Sequence, residues 1–337
     1  MILSTSIPLL ALAFPLLALL AGAMLLPSLV HAAARPFAAR TTLGAMLLAM
    51  FFAGAVLHVP DLDLTPAHCV LMALCALSTM LIAAPLLGRG RTAGTMISAS
   101  TGGLAALASA AYALDYFPAL IKATLLPATL LVAVLLGFAG SALLPMSPLR
   151  HDARGALRNL PNHTGTRLAG WGLLCLALLF TARFLNPALP LLPVLACAIA
   201  SGLLTLFTTR AERAMATLGE AFCAGLLLAL PAGFTPETAI LAGVIAAFVV
   251  ARSDAITQAL HLDDPLRAVG AVLLPLTLGL LMPGLLDFSV AALATQLRLL
   301  GFILAAAALI SVILWPITMI FVGLALPAPL ARYGVRP

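Results

Sequence analysis

Residues 7–30 have the sequence IPLLALAFPLLALLAGAMLLPSLV, twenty-four residues without a charged side chain. A helix rises about 1.5 Å per residue and the hydrocarbon core of a bilayer is about 30 Å thick, so about 20 apolar residues cross it. A signal peptide has a basic start and an apolar core of only about 7–15 residues. This stretch has neither feature, and we expect it to be a retained first transmembrane helix.

The composition of the whole chain is that of a membrane protein. Of its 337 residues, 63% are hydrophobic and 8% are charged, and the mean hydropathy is +1.18. Soluble domains carry about 25% charged residues, and disordered chains combine low hydrophobicity with high net charge. The composition therefore excludes a soluble globular protein and a disordered chain.

No chemistry-bearing motif is present in the sequence. The five cysteines contain no C-x-x-C pair, and the six histidines show no metal-ligand spacing. There is no phosphate-binding loop, no paired intramembrane carboxylate and no nucleophile beside a base. We therefore expect neither an enzyme nor a bound metal or cofactor.

Division of the chain at its charged residues and its proline and glycine clusters predicts eleven spans in a single transmembrane domain, 1–337. They cover residues 7–30, 41–60, 66–87, 92–114, 117–145, 165–185, 187–208, 214–231, 236–253, 265–286 and 295–326. The last span would be about 48 Å long as a helix, so it must tilt, or kink at Trp315–Pro316, to match the bilayer.

The basic residues predict the orientation of these spans. With the N-terminus outside, fourteen of the seventeen Lys and Arg residues fall in inside loops, and only Lys122, Arg183 and Arg298 fall outside. An excess of Lys and Arg on the cytoplasmic side is the rule for membrane proteins. The net charge of +6 therefore reports topology rather than a nucleic-acid partner. We expect the N-terminus outside and the C-terminus in the cytoplasm, in a bacterial-type inner membrane.

Several short motifs occur in a characteristic order in the second half of the chain. They are Asn159-Leu160-Pro161, Thr164-Gly165-Thr166, Gly170-Trp171-Gly172, Thr217-Leu218-Gly219, Ala224-Gly225, Pro231-Ala232-Gly233-Phe234, Leu262-Asp263-Asp264-Pro265-Leu266 and Val269-Gly270. Together with eleven spans and an overlong last helix, this ordered set resembles the ammonium transporter/Rh family. The match in the first half is mainly one of hydropathy.

The resemblance implies a fold and an assembly. The fold would have two inverted five-helix repeats, about 7–145 and 165–286, and a long tilted eleventh helix, about 295–326. Family members form trimers in which each protomer has its own pore, so the resemblance implies a homotrimer. An acid before the fifth helix of each half, Asp115 in one and Asp263-Asp264 in the other, is a faint internal repeat.

The residues that conduct ammonium in the family are replaced here. One pore histidine corresponds to Val272, and its partner falls near Ala123 to Pro127, where no histidine occurs. The two gate phenylalanines correspond to about Leu74 and Leu176, and the outer-site serine falls near Phe180. A pore lined in this way has no imidazole to relay a proton.

Three charged residues near the second-half spans allow a structural and a functional interpretation. Glu220 lies within a span, where an ionisable group is a functional candidate, although snorkelling or pairing with Arg213 or Arg210 is the favoured interpretation. Asp263 and Asp264 precede the tenth helix, where a carboxylate caps free N–H groups.

Three functions remain open from the sequence. The first is an ammonium-transporter-like channel in the lipid bilayer that passes ammonia or another small neutral solute through an apolar pore. The second is a non-conducting paralogue that acts as a sensor, partner subunit or scaffold, because both histidines and the aromatic gate are lost together. The third is an unrelated secondary transporter, which would need a polar site at broken helices.

Overall fold

The computed structural model describes residues 6–29, 35–56, 66–87, 92–116, 124–143, 164–209, 211–260, 262, 264 and 266–323. Within these ranges the chain forms eleven α-helices and no strand, as predicted. The helices are α1 Ser6–Leu25, α2 Arg35–Val56, α3 Pro66–Leu86, α4 Thr92–Tyr116, α5 Leu125–Leu143, α6 Thr164–Leu185, α7 Leu191–Thr208, α8 Ala211–Ala229, α9 Pro236–Ala259, α10 Leu274–Leu286 and α11 Val290–Gly323.

Several helices extend beyond the apolar stretches that predicted them. Helix α2 begins at Arg35, six residues before its apolar span, and α9 continues to Ala259, six residues past its own. Backbone hydrogen bonds continue wherever the backbone allows them, so charged turns lengthen these helices beyond the hydrocarbon region. Helix α7 begins later than predicted, because Pro190 occupies its N-cap.

The two halves of the chain have the same internal arrangement of neighbours. In the first half, α3 packs against α1, α2, α4 and α5, and α2 also packs against α4. In the second half, α8 packs against α6, α7, α9 and α10, and α7 also packs against α9. The second half thus repeats the packing pattern of the first, as a fold of two five-helix repeats requires.

The halves meet along α1, α3, α5, α6 and α10, and α11 lies outside them. Helix α11 contacts α4, α5 and α10. Only 22% of the residues in its apolar segment are buried, compared with 89% for α3 and 78% for α5. At 34 residues it is the long eleventh helix that the sequence predicted, and it continues through Pro316. The central axis of the bundle is therefore built by α3 and α5 and their second-half counterparts.

Small residues allow the helices to approach closely. A Cβ atom on Gly219 of α8 would lie 2.5 Å from Cβ of Trp171 on α6, and one on Gly140 of α5 would lie 2.5 Å from the Trp315 ring on α11. These distances are shorter than real Cβ contacts, so only glycine fits at either place. The helices therefore pack closely at both places, where tryptophan side chains fill the space beside the glycines.

Eight stretches of helix are long and apolar enough to cross a membrane by length and composition, counted over the described residues. Two more helices, α2 and α8, carry shorter apolar stretches, Ala38–Ala53 and Thr217–Ala229. The arrangement is that of an integral membrane protein.

Candidate solute conduit between the two halves

A small cavity lies where the two halves of the bundle meet. It is lined by eight apolar residues from five elements: Leu77, Met80 and Leu81 of α3, Leu130 of α5, Leu174 and Leu178 of α6, Leu227 of α8, and Val272 just before α10. Both halves contribute to its wall. A path through the middle of the protomer would pass through this point.

The cavity is narrow and has no polar lining. The centre of a water-sized sphere can move within about 10 Å³ of the cavity. This volume is close to the minimum needed to hold one water molecule. A water molecule also needs two to four polar partners to be held, and this wall provides none. The cavity is therefore suited to a small neutral solute and is hostile to an ion.

Two of the predicted pore positions lie at or near this cavity. Val272 is 2% exposed and forms part of its wall. Leu74 is fully buried on α3, three residues before Leu77, which lines the cavity. A three-residue step on a helix leaves both side chains on the same face.

The other two predicted positions lie elsewhere on α6. Leu176 and Phe180 are 45% and 41% exposed on the protomer surface, and Phe180 stacks on Phe14 of α1 with ring centroids 6.1 Å apart. The α6 side chains that face the cavity are Leu174 and Leu178. Leu176 lies two positions from each of them, and two positions on a helix turn a side chain through about 200°.

The α5 position opposite Val272 also differs from the expected one. The alignment placed it between Ala123 and Pro127, but Leu130 is the α5 residue in the cavity wall. Ala123 itself lies outside the described residues, and α5 begins at Leu125. Leu130 of α5 and Val272 before α10 therefore both contribute to the cavity wall, and neither is an imidazole.

A short π-helix, Val269–Leu273, carries Val272 into the cavity. The N–H of Leu274 bonds to the carbonyl of Val269, five residues earlier. The next residue, Pro275, has no N–H with which to continue an α-helical ladder across this turn. The sequence showed Pro275 in the tenth span but not the widened turn before it, and such turns are frequent at functional sites.

A network of four charges closes one end of the second half. Glu220 of α8 is 1% exposed, and its two oxygens accept hydrogen bonds from Arg167 Nη2 at 2.5 Å and from Arg267 Nη1 at 2.8 Å. Arg267 also forms a two-point pair with Asp254 of α9, at 2.9 Å and 2.7 Å. The starts of α6 and α10 and the end of α9 thus converge on α8.

The structure corrects the interpretation of Glu220. Its side chain is buried rather than extended to the surface, and its partners among the described residues are Arg167 and Arg267. Arg210 and the side chain of Arg213 lie outside the described residues, and both carboxylate oxygens are already bound by Arg167 and Arg267. The bundle brings together charges 47 to 53 residues apart, which no local pattern could indicate.

The predicted capping role is confirmed for Asp264. Its carboxylate accepts hydrogen bonds from the N–H groups of Ala268 at 2.7 Å and Val269 at 2.8 Å, where the π-helix begins. Asp263 lies outside the described residues. Arg267, between cap and helix, has φ of +56°, a conformation unfavourable for a residue with a Cβ.

The electrostatics of Arg267 favour its charged form. Burial lowers the pKa of its guanidinium, but the carboxylates of Glu220 and Asp254 outweigh that effect, so the pKa lies above its ordinary value. Arg267, with its positive φ, is thus bonded to two carboxylates, and Val272 of the cavity wall lies five residues later in the chain.

No group of three His, Cys, Asp or Glu side chains that could hold a metal occurs among the described residues. Five of the six histidines, at 31, 58, 151, 163 and 261, fall outside those residues, and His68 lies near the start of α3. The cavity wall itself contains no titratable side chain.

No protein-family model matches the chain, and no curated protein matches its sequence. Solved structures do match its fold. The structure named Sensor Amt Protein is 15% identical with a TM-score of 0.69, over 93% of this chain and 90% of that chain. Mep2 from Candida albicans is 16% identical with a TM-score of 0.68, over 93% and 83%.

Rh50 from Nitrosomonas europaea, of the Rhesus protein family of channels, is 17% identical with a TM-score of 0.65, over 96% of this chain and 95% of that one. The agreement therefore extends over nearly the whole of each molecule. The chain has the ammonium transporter/Rh fold, and the resemblance seen in its motifs is confirmed at the level of the fold.

Proposed function

We propose that the chain is an ammonium-transporter-like membrane channel that passes a small neutral solute, ammonia in the first place, between the two halves of each protomer. The observation that carries this proposal is the apolar cavity wall built from both halves of an ammonium transporter/Rh fold, to which Leu130 and Val272 both contribute. The solute would enter as the neutral base and leave any proton behind.

The chemistry of the wall favours the neutral form. A charge at the centre of a bilayer costs at least about 2.5–3.5 kcal/mol, and this wall has no imidazole, carboxylate or aromatic face to offset that cost. A single-nitrogen base is close in size to one water molecule, for which there is room. Passage requires rotations of the flexible Leu and Met side chains around the cavity.

The proposed assembly is a homotrimer in a bacterial-type inner membrane, with the N-terminus outside, the C-terminus cytoplasmic and one conduit in each protomer. The excess of Lys and Arg in the inside loops supports this orientation. Large apolar side chains are exposed on α6, α7, α9 and α11, as faces against lipid or against neighbouring protomers require.

The test is ammonia flux into proteoliposomes, followed with an internal pH dye against protein-free vesicles. We expect flux above background, and we expect Val272→Phe to abolish it, because a ring fills a cavity of one-water size. Val312→Phe is the matched control: Val312 is 72% exposed on α11, and this variant should conduct like the original chain. Flux equal to that of empty vesicles would refute conduction and leave the non-conducting sensor, subunit or scaffold.

A further inference from the structure

Three polar side-chain atoms on α6 are buried without a hydrogen-bond partner in the described part of the chain: Nε of Arg167, the indole Nε1 of Trp171 and the hydroxyl Oγ1 of Thr181. The guanidinium of Arg167 is bound to Glu220 through Nη2, whereas Trp171 and Thr181 are 0% exposed. Buried polar groups in native proteins are almost always hydrogen-bonded, so an orphaned group needs a physical explanation.

Both residues lie on the face of α6 that lines the cavity. At 3.6 residues per turn, Trp171, Leu174, Leu178 and Thr181 fall within an arc of about 80°. Leu174 and Leu178 are cavity-lining residues, with Trp171 about 4.5 Å before the first and Thr181 about 4.5 Å beyond the second. Trp171 and Thr181 thus lie about one helical turn before and after the cavity-lining stretch of α6.

Thr181 differs from most helical hydroxyl residues in this chain. Ser78, Thr129, Thr205 and Thr277 each donate to the carbonyl four residues earlier, at 2.6–2.8 Å. That local bond is the usual way for a hydroxyl within a helix to be satisfied. Thr181 makes no such bond among the described residues, a property that it shares with Thr42, Thr79 and Ser201.

We propose that Trp171 and Thr181 are two hydrogen-bonding stations for the transported solute, one on each side of the Leu174–Leu178 constriction. This inference rests on the proposed function and narrows its substrate class to a neutral amine of ammonia size. An indole N–H can only donate, so the solute must offer a lone pair, which ammonia has and ammonium lacks. The hydroxyl of Thr181 can donate to that lone pair or accept from an N–H group.

The stations also discriminate against apolar solutes. A site with buried polar groups rejects a molecule that cannot hydrogen-bond, because its own groups then stay unsatisfied. An apolar gas would pass the same constriction but would form no hydrogen bond with either station.

The experiment measures the initial ammonia flux of Trp171→Phe and Thr181→Val in proteoliposomes. Thr181→Val removes the hydroxyl with little change in shape, whereas Trp171→Phe removes the indole N–H together with part of the ring, so its flux is compared with that of Trp315→Phe. We expect flux to fall about three- to tenfold in each. Thr181→Ser keeps a hydroxyl and should retain most of the flux. Circular dichroism melting in detergent shows that each variant is folded.

Two matched controls are available elsewhere in the chain. Trp315 on α11 and Thr42 on α2 are also fully buried with an orphaned polar atom, but neither belongs to an element that lines the cavity. Trp315→Phe and Thr42→Val should therefore conduct like the original chain.

The outcomes separate this inference from the proposed function. If the original chain conducts and Trp171→Phe and Thr181→Val conduct equally well, or lose no more flux than the controls, the stations are refuted while the channel stands. If the original chain does not conduct above protein-free vesicles, the proposed function fails and the stations fail with it.

Discussion

Two regions of the second half, about two helical turns apart on α8, treat charge in opposite ways. At Glu220, four charged side chains from four elements neutralise one another at one end of the bundle. At Leu227, the wall of the cavity is wholly aliphatic. Charged side chains therefore pair with one another at one end of the second half. The cavity, in contrast, offers no partner to an ion.

The difference follows from how expensive isolated charge is in an apolar environment. A buried carboxylate is tolerable only when opposite charges and hydrogen-bond donors saturate it, and Glu220 has both oxygens occupied. The cavity has no such partners, so only a neutral molecule can cross it without a large penalty. The charged network connects the starts of α6 and α10 to α8. The apolar cavity favours a neutral solute over an ion.

The strongest test of the charged region is Glu220→Gln, which removes the charge that Arg167 and Arg267 share. We expect the free energy of unfolding to fall by about 3 kcal/mol, because two partly buried guanidinium groups lose their counter-charge. Chemical unfolding in detergent micelles measures the change. Glu237→Gln, at an exposed position in the first turn of α9, is the control, and equal stability of the two variants would contradict the role given to Glu220.

A smaller effect is expected where the two regions join, at the contact between Gly219 and Trp171. Gly219→Ala places a methyl group 2.5 Å from Cβ of Trp171, and overpacking of this kind costs about 1–3 kcal/mol. Gly172→Ala is the matched control, because a Cβ there meets nothing within 4 Å. Thermal melting that is the same for both alanine variants would show that α6 and α8 can separate without cost.

The smallest effect is expected at the exposed edge of the network. Asp254 pairs with Arg267 but its side chain is 60% exposed, and exposed pairs contribute about 0.2–1 kcal/mol. Asp254→Asn should therefore lower stability by less than about 1 kcal/mol, and by less still in high salt. A loss as large as that of Glu220→Gln in the same unfolding assay would mean that Asp254, not Glu220, is the centre of the network.

The sequence predicted the fold more fully than it predicted the site. Apolar stretches of spanning length are long, local signals, so eleven helices and an overlong last helix could be inferred from residues 7–30 onward. The capping role of Asp264 was also predictable, because a cap involves residues only four or five positions away.

The positions of cavity-lining residues were not predictable at the same level. A motif alignment tolerates a shift of one or two residues, but on α6 such a shift separates the exposed Leu176 from the buried Leu174 and Leu178. The run Leu173-Leu174-Cys175-Leu176 is uniformly apolar and has no periodicity to identify the inward face. In a membrane helix lipid and core are both apolar, so composition does not distinguish them.

The sequence by itself determined that this chain is a helical bundle in a membrane, and that no histidine occurs at the positions that correspond to the two pore histidines of the family. Those properties depend on local composition and on transfer between water and hydrocarbon. Only the tertiary structure decided which aliphatic side chains face one another, and that Glu220 meets Arg167 and Arg267. Contacts between helices that are distant in sequence depend on how the helices pack. The pattern of apolar residues along the chain does not fix that packing to the nearest residue.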